Sequence, residues 1–278
     1  MLQHFSPSAP LVLVGCGNMG HAMAMGWLRA GLPPECLFVV DPAAQADRLP
    51  GAAPEQFLQT ARDLPVGMKA RVLVFAVKPQ VIESVLPLFL PFVGADTMVL
   101  SVAAGVTLKQ LEAGLAGEGT YVRVMPNTPA AIGEGISGLT AAADISGEDK
   151  RLAQMLMHAV GDTVWIKDEA QMDSVTAVSG SGPAYVFYMV ECMAAAGVAE
   201  GLPEDVAMKL ARETVIGAAK LLDTDVDISA AELRRRVTSP GGTTAAALDV
   251  LMHAGTGLGD LMSRAIHAAR KRGEELGG

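Results

Sequence analysis

Residues 11–30 read LVLVGCGNMGHAMAMGWLRA, and their pattern is the strongest indication of the fold. The apolar run 11–14 is followed at once by GCGNMG, residues 15–20, and then by helix-forming residues. The hexapeptide matches G-x-G-x-x-G, in which Gly15 permits a tight turn, Gly17 lets a pyrophosphate approach the backbone and Gly20 allows close packing of helix on strand. The bare motif is weak evidence, but a strand before it and a helix after it favour a nucleotide site over a purely structural turn.

The second apolar run, residues 37–40, ends at Asp41, 21 residues beyond Gly20. A carboxylate at this place accepts hydrogen bonds from the adenosine ribose of a dinucleotide, and its charge repels the 2′-phosphate of NADPH. Asp41 therefore favours NADH, and the nearest basic residue is Arg48. The alternative, a solvated aspartate that opens an Asp-Pro turn, fits the same residues equally well.

The composition excludes several classes of protein. The chain has 278 residues, of which 50% are hydrophobic, so it can bury a substantial core. A net charge of −9 argues against nucleic-acid and anionic-membrane partners. Three cysteines without metal-type spacing indicate neither disulfides nor a metal site and fit a reducing cytoplasm. No signal peptide or membrane segment is predicted, because the apolar stretch 184–199 is short for a bilayer and carries a glutamate.

Residues 1–167 alternate short apolar runs with helix-length stretches, which predicts a Rossmann-type doubly wound α/β sheet. The runs are rich in Val and Leu, as expected of strands that are covered on both faces. Two later runs could extend the sheet, with a helix over 148–159 between them, although the sequence does not give their direction. The predicted strands are 11–14, 37–40, 71–77, 97–102 and 121–124, and the two further runs are 135–139 and 162–166.

Residues 168–278 read as an all-helical domain, because helix-period segments follow one another without β-rich runs. Helices are predicted over 183–196 and 203–222 and from Ser229, Thr243 and Gly257. The segment 184–196 is apolar nearly all round, and such a helix needs burial on every side. A half of roughly 110 residues can hardly enclose several helices of this kind, so we expect another subunit to cover them.

Two polar turns in the helical half are candidate ligand sites. SPGGTT, residues 239–244, places hydroxyls around a tight turn that opens into a helix, where unpaired N–H groups and the helix dipole favour a carboxylate. SGSGPAY, residues 179–185, is interpreted as a second hydroxyl-rich helix start. Taken alone, each turn is typical of a simple helix cap, and for the first of them the residue types favour the cap over a ligand site.

Three loops at predicted strand ends should face the same crevice, because ligands of an open α/β sheet bind beyond the carboxyl ends of its strands. They are AVKP (residues 76–79), SVAAG (residues 101–105) and MPNTP (residues 125–129). The first two should meet the nicotinamide half of a cofactor. Asn127 in the third could orient either ligand, although a rigid proline-bracketed turn is the simpler account.

Six motifs, GCGNMG, VFAVKP, SVAAGVT, MPNTP, SGSGPAY and TSPGGTT, occur in this order. Together they resemble the pyrroline-5-carboxylate reductase family, over about residues 11–273, and the last two are the specific ones. The resemblance implies a Rossmann domain and a helical domain that interlocks with a partner as a homodimer, with further assembly into a decamer. It also implies reduction of L-1-pyrroline-5-carboxylate to L-proline with NADPH or NADH, the last step of proline biosynthesis.

The resemblance assigns roles to particular residues. Backbone N–H groups of Gly242 and Thr243 would hold the substrate carboxylate, with Ser239 close by. Thr244 would be the catalytic residue, and it would orient the ring nitrogen and relay a proton, since a threonine hydroxyl is too weak an acid to supply one by itself. The predicted cofactor-binding residues, with Asp41 included for its position, are Gly15, Cys16, Gly17, Asn18, Met19, Gly20, Asp41, Ala76, Val77, Lys78, Pro79, Val102, Ala103, Ala104 and Glu169.

Two rival classes share part of this pattern. β-Hydroxyacid dehydrogenases combine G-x-G-x-M-G with a helical C-terminal domain, but they rely on a catalytic lysine on a long interdomain helix, and residues 179–200 contain no lysine. A non-catalytic nucleotide-binding dimer would keep the fold, yet it would have no need of the hydroxyl-rich turn at residues 239–244.

Overall fold

A computed structural model describes residues 2, 5–43, 49, 51, 53–224 and 226–277. Eight strands form one sheet in the first part of the chain. They are β1 (Leu11–Val14), β2 (Leu37–Val40), β3 (Phe57–Leu58), β4 (Val72–Phe75), β5 (Met98–Ser101), β6 (Thr120–Met125), β7 (Gly135–Ala141) and β8 (Gly161–Trp165). The order across the sheet is β3-β2-β1-β4-β5-β6-β7-β8.

The sheet is parallel from β3 to β6, which confirms the predicted doubly wound fold. The two later runs also join it, as β7 antiparallel to β6 and β8 parallel to β7. Strand order reverses between β1 and β4, and the crevice beyond the carboxyl ends of such neighbours is where ligands bind in this architecture. The sequence pattern missed β3, because two residues are too few to show a strand period.

The helices of the sheet-containing part are α1 (Asn18–Arg29), α2 (Pro79–Phe89), α3 (Leu108–Gly114) and α4 (Gly147–His158). Further along lie α5 (Met172–Val175), α6 (Gly182–Ala199), α7 (Glu204–Thr224), α8 (Ala230–Arg236), α9 (Thr243–Leu251) and α10 (Leu258–Gly277). The predicted helix starts in the second half are therefore confirmed to within one or two residues.

The core lies on both faces of the sheet, because alternate strand residues point to opposite sides. In β1, Leu11 and Leu13 belong to one buried cluster, whereas Val12 and Val14 belong to the other. Trp27 of α1 is fully buried in the first cluster, and its Nε1–H donates to the carbonyl of Leu156 in α4 at 2.9 Å. This hydrogen bond satisfies the polar atom of the ring, so α1 and α4 are held side by side on one face.

The chain divides into two compact units. The first contains residues 1–181 together with 269–278, and the second contains residues 182–268. The boundary predicted from the sequence, between residues 167 and 168, lies before this division. Residues 168–181 and the end of α10 pack with the sheet, a long-range association that has no signature in local composition.

The second unit buries little of its apolar surface. On α6 only Ala194 is buried, and on α7 only Ala207 and Ala211. By contrast Phe187 and Tyr188 of α6 are 62% and 66% exposed. An 18-residue helix with this much exposed apolar surface requires cover from outside its own chain.

Candidate active site

The glycine loop follows β1 at the centre of the sheet. Gly15 has φ +90°, a left-handed conformation that costs other residues energy, and a Cβ placed there would lie 2.8 Å from the carbonyl oxygen of Ala76. A Cβ on Gly20 would lie only 2.2 Å from the carbonyl oxygen of Gly15. Both glycines are therefore required by packing within the protein, as predicted for the first and third positions of the motif.

Gly17 differs from the other two glycines of the motif. A Cβ on it would meet no atom of the described residues within 4 Å, and it is the N-cap residue of the 12-residue helix α1. Among the described residues no side chain caps this helix, and its first turn contains no acidic residue. Open space, unpaired N–H groups and the positive end of a helix dipole are what a dinucleotide pyrophosphate needs, so the loop fits that group. Cys16 is buried behind it, whereas Asn18 is exposed and Met19 half-buried at the start of α1.

Asp41 braces the glycine loop. Its Oδ2 accepts a hydrogen bond from the Cys16 N–H at 2.6 Å, and its Oδ1 accepts one from the Ala43 N–H at 2.7 Å. The bond to Ala43 is that of the aspartate turn, which was the alternative interpretation of Asp41. The bond to Cys16 also connects the carboxylate directly to the nucleotide motif. Arg48, the nearest basic residue in sequence, lies outside the described residues.

The loops after β4 and β5 lie beside the glycine loop, because β1, β4 and β5 are neighbours in the sheet. The Ala76 N–H donates to the Val14 carbonyl at 2.8 Å, and the Val102 N–H donates to the Phe75 carbonyl at 3.0 Å. Lys78 is exposed and is the N-cap residue of α2. The structure places the remaining predicted loop residues, Val77, Pro79, Ala103 and Ala104, at this same carboxyl edge.

Glu169 is held by protein groups in the first unit. Its Oε1 lies 3.2 Å from Nη1 of Arg123 and accepts a hydrogen bond from the Leu108 N–H at 2.8 Å. Arg123 is only 4% exposed, although it belongs to an otherwise apolar strand. The predicted cofactor residue Glu169 is thereby joined to α3, whose first residue follows the β5 loop.

Asn127 is engaged inside the protein. Its Oδ1 accepts a hydrogen bond from the Ile136 N–H at 2.9 Å, and its Nδ2 donates to the Ser179 carbonyl at 3.3 Å. With a residue exposure of 9%, it links the loop after β6 to β7 and to the SGSG segment. The simpler account of a rigid turn therefore describes this loop.

The SGSG segment leads into α6, which begins at Gly182 as expected of a helix start, but the Ser179 hydroxyl does not cap that helix. Residues Thr176–Gly180 form a π-helical turn that continues α5 toward α6. The hydroxyl of Ser179 donates to the Val175 carbonyl at 3.0 Å, and that of Thr176 donates to the Met172 carbonyl at 2.9 Å. Hydroxyls that bond back one turn within a helix do not cap its end. Turns of the π type occur frequently at functional sites, but their residues carry no local signal that separates them from a cap.

The turn at residues 239–244 does open a helix. Gly242 is the N-cap residue of the nine-residue helix α9, and no described side chain caps that helix. The Gly242 N–H, which was predicted to hold a carboxylate, donates instead to the Ser239 carbonyl at 3.0 Å. The first turn of α9 leaves the N–H groups of Thr243, Thr244 and Ala245 without an intrahelical acceptor, because the first bond back to Gly242 comes from the Ala246 N–H. The Thr244 side chain is half-buried, and its hydroxyl bonds to no other described residue.

Comparisons with known proteins match both halves of the chain. Residues 169–276 match the family model described as pyrroline-5-carboxylate reductase dimerisation, and residues 10–105 match NADP oxidoreductase coenzyme F420-dependent. A pyrroline-5-carboxylate reductase of Haemophilus influenzae is 40% identical over 86% of this chain and 88% of its own length. The chain belongs to the pyrroline-5-carboxylate reductase family. A Coxiella burnetii reductase structure covers 98% of this chain and 99% of its own, with a TM-score of 0.86 and 33% identity. A Plasmodium falciparum pyrroline carboxylate reductase with NADP bound covers 97% and 98%, with a TM-score of 0.80 and 29% identity.

Membership of the pyrroline-5-carboxylate reductase family establishes the enzyme class. The chain is an oxidoreductase that reduces pyrroline-5-carboxylate with NAD(P)H, and the two rival classes are set aside. The glycine loop, with its uncapped helix and its open face at Gly17, fits the dinucleotide that this reaction needs. NAD(P)H supplies the hydride when bound.

The dimerisation model of the reductase family covers the exposed helices. The helical stretch 169–199 is long and apolar enough to cross a membrane by length and composition, yet only 6% of its apolar window is buried within the chain. Since this stretch falls inside the family's dimerisation region, oligomerisation accounts for its apolar surface.

Sequence reasoning missed three features of the reductase site. They are the buried Arg123, the brace between Asp41 and the Cys16 N–H, and the bonds of Asn127. An arginine inside the apolar run 120–125 was the one available signal, since a charged residue on a strand covered on both faces must find a partner. The partners themselves are distant in sequence and leave no pattern.

Proposed function

We propose that the turn at residues 239–244 is the substrate site of this reductase and that Thr244 is its catalytic residue. The proposal is supported by the N-terminus of α9, where backbone N–H groups and a threonine hydroxyl occur together and no described residue caps the helix or bonds to that hydroxyl. The substrate is a cyclic imine with one carboxylate. Within one turn of helix, the backbone N–H groups can bind the carboxylate and the threonine hydroxyl can bind the imine nitrogen.

The carboxylate is held by the N–H groups of Thr243 and Thr244, with Ser239 close by. These groups lie at the positive end of the α9 dipole, which stabilises an anion. Gly242 forms the bend that exposes them, because its own N–H closes the turn onto Ser239. No charged side chain is needed for this step, which suits a protein whose net charge is −9.

The ring nitrogen is oriented by the Thr244 hydroxyl. Hydride addition to the C=N carbon leaves two electrons on nitrogen, so the nitrogen must carry a proton during or before the transfer. A threonine hydroxyl is too weak an acid to provide that proton alone. Thr244 therefore hydrogen-bonds the nitrogen and relays a proton from water, or it orients a substrate that is already protonated.

The cofactor is held by the carboxyl edge of the sheet. Residues 15–20 take the pyrophosphate, Asp41 lies toward the adenosine ribose, and the loops 76–79 and 102–104 line the nicotinamide side. In this proposal Glu169 acts on the cofactor through the β5 loop, since its carboxylate is engaged with Arg123 and the Leu108 N–H. Asp41 disfavours the 2′-phosphate, so NADH is accepted beside NADPH.

The assembly is at least a homodimer formed by the second unit, with a decamer as the next level. Exposed Phe187 and Tyr188 on α6 support the dimer, because apolar side chains on a dimerisation helix are covered by an equivalent helix. An acidic chain fits a cytoplasmic reductase without nucleic-acid or membrane partners.

Turnover of purified protein with pyrroline-5-carboxylate tests the enzyme, and Thr244→Ala tests the site. We expect Thr244→Ala to lower kcat about 10- to 100-fold, the effect of removing one hydrogen bond that strengthens in the transition state. Thr224→Ala is the matched control, since that hydroxyl donates to the Lys220 carbonyl on an exposed helix of the same unit. Full activity of Thr244→Ala with a normal melting temperature would show that the substrate nitrogen lies elsewhere.

A further inference from the structure

Arg123 is a buried charge in the second half of β6. It pairs with Ser101 in the sheet register, and its side chain is 5% exposed. Nη1 lies 3.2 Å from Glu169 Oε1, and Nη2 lies 3.9 Å from Asp173 Oδ1. Its Nε has no hydrogen-bond partner among the described residues. Burying a guanidinium that is only partly satisfied is unfavourable, so these carboxylates must hold it in place.

Glu169 connects this arginine to the loop after β5. The oxygen that meets Arg123, Oε1, also accepts a hydrogen bond from the Leu108 N–H at 2.8 Å. Leu108 is the first residue of α3 and directly follows loop 102–107. The start of that loop is fixed by the Val102 N–H on the Phe75 carbonyl, so Glu169 fixes its other end.

The end of α10 touches the same loop. A Cβ on Gly105, in the middle of the loop, would lie 3.2 Å from the Cα of Gly277. One turn earlier in α10, a Cβ on Gly273 would lie 3.1 Å from Asp173 Oδ1. The last turns of this helix therefore pack against both the loop and the second carboxylate that faces Arg123.

We propose that Arg123 and Glu169 are positioning residues for the cofactor loop 102–107. The inference rests on the proposed function, in which Val102 to Ala104 line the nicotinamide side of NAD(P)H. Neither residue touches a reacting atom. Arg123 orients the Glu169 carboxylate, Glu169 anchors the start of α3, and the end of α10 limits movement of Gly105, so the loop is preorganised for the cofactor.

The test compares Glu169→Leu, Glu169→Gln and Arg123→Met with the full-length protein. Glu169→Leu removes the acceptor for the Leu108 N–H, and we expect it to raise the KM for NAD(P)H about tenfold, as for one charge-assisted hydrogen bond. Glu169→Gln keeps an oxygen acceptor and should recover most of that loss. The KM for pyrroline-5-carboxylate should change little in all three variants.

Arg71→Met is the matched control. Arg71 also pairs with a carboxylate, Asp149, at 2.9 Å, and it is part-buried in the same unit, but it precedes β4 at the amino edge of the sheet. Melting temperatures of all variants separate a loss of stability from a change in the loop. A merely structural Glu169 would lower the melting temperature without raising the cofactor KM above that of the control.

The outcomes distinguish the inference from the function on which it rests. Wild-type protein that neither binds NAD(P)H nor turns over would overturn the proposed function, and the inference with it. Active wild type with an unchanged cofactor KM in Glu169→Leu would overturn the inference alone. If Arg123→Met fails to fold, the inference is still tested by the KM for NAD(P)H, which should increase in the order wild type, Glu169→Gln, Glu169→Leu.

Discussion

Alanine at Gly17 and alanine at Gly20 should have opposite effects. At Gly20 the new Cβ would meet the Gly15 carbonyl oxygen at 2.2 Å, so the backbone must move by roughly 1 Å to reach ordinary contact. Overpacking of this kind costs roughly 1–3 kcal/mol. For a unit of this size the melting temperature should fall by roughly 2–12 °C.

At Gly17 the new Cβ meets no atom within 4 Å in the part of the chain that the structure describes, and φ of −68° with ψ of −164° is open to any residue. Loss of backbone freedom in the unfolded chain stabilises by about 0.4–1 kcal/mol, while alanine is a poorer N-cap by a similar amount. The two effects offset each other, so the melting temperature should stay within a few degrees of wild type, roughly 3 °C at most. The methyl group instead meets the bound pyrophosphate and should raise the Kd for NADPH about 5- to 150-fold, the equivalent of 1–3 kcal/mol.

Thermal unfolding and NADPH titration followed by nucleotide fluorescence give the two numbers for each variant. The expected pattern is a stable Gly17→Ala protein with weak cofactor binding and a destabilised Gly20→Ala protein. Wild-type affinity in Gly17→Ala would refute the placement of the pyrophosphate at this loop. A large fall in the melting temperature of Gly17→Ala would show that a methyl group at this position does clash with the protein.

Three further predictions follow from single residues. Asp41→Ser should raise kcat/KM for NADPH relative to that for NADH at least about fivefold, since it removes a carboxylate that repels the 2′-phosphate. An unchanged ratio would place Asp41 away from the ribose. Phe187→Glu should shift the assembly toward monomer in light scattering, because a charge replaces an apolar side chain that is 62% exposed on α6; an unchanged mass would exclude this face from the interface. Burial, with Glu112 and Glu118 nearby, raises the pKa of Tyr121 to about 12. Unfolded tyrosine ionises near pH 10, so native stability should fall between about pH 10 and 12, and Tyr121→Phe should flatten that fall in urea midpoints measured across the range.

The sequence predicted most of the first unit because its signals are local. A buried parallel strand is a short apolar run, and each of the seven predicted runs became a strand. The two-residue β3 escaped notice, and the antiparallel direction of β7 depends on pairing with β6, which no run of residues encodes. Element type follows from neighbours in sequence, whereas direction and partner follow from neighbours in space.

In the candidate site, too, the features that depend on local residue types were predicted from the sequence and the others were not. The glycines of residues 15–20 and the turn at 239–244 were predicted because tight turns need particular residue types at fixed spacing. The SGSG segment has the composition of a cap, yet the helix runs through it as a π turn. Its Ser179 hydroxyl bonds back to the Val175 carbonyl, an arrangement that composition does not distinguish from a cap.

By itself the sequence determined the fold class, the nucleotide motif, the order of the two halves and the surplus of apolar helix surface. Only the tertiary structure decided that Asp41 bonds the Cys16 N–H, that Glu169 joins Arg123 to Leu108, and that the end of α10 returns to Gly105. These contacts join residues 25 to 61 positions apart along the chain, or more for α10. Periodicity and turn composition reflect only residues that are close in sequence. Contacts between distant segments form when the sheet and helices bring those segments together, and therefore no local pattern predicts them.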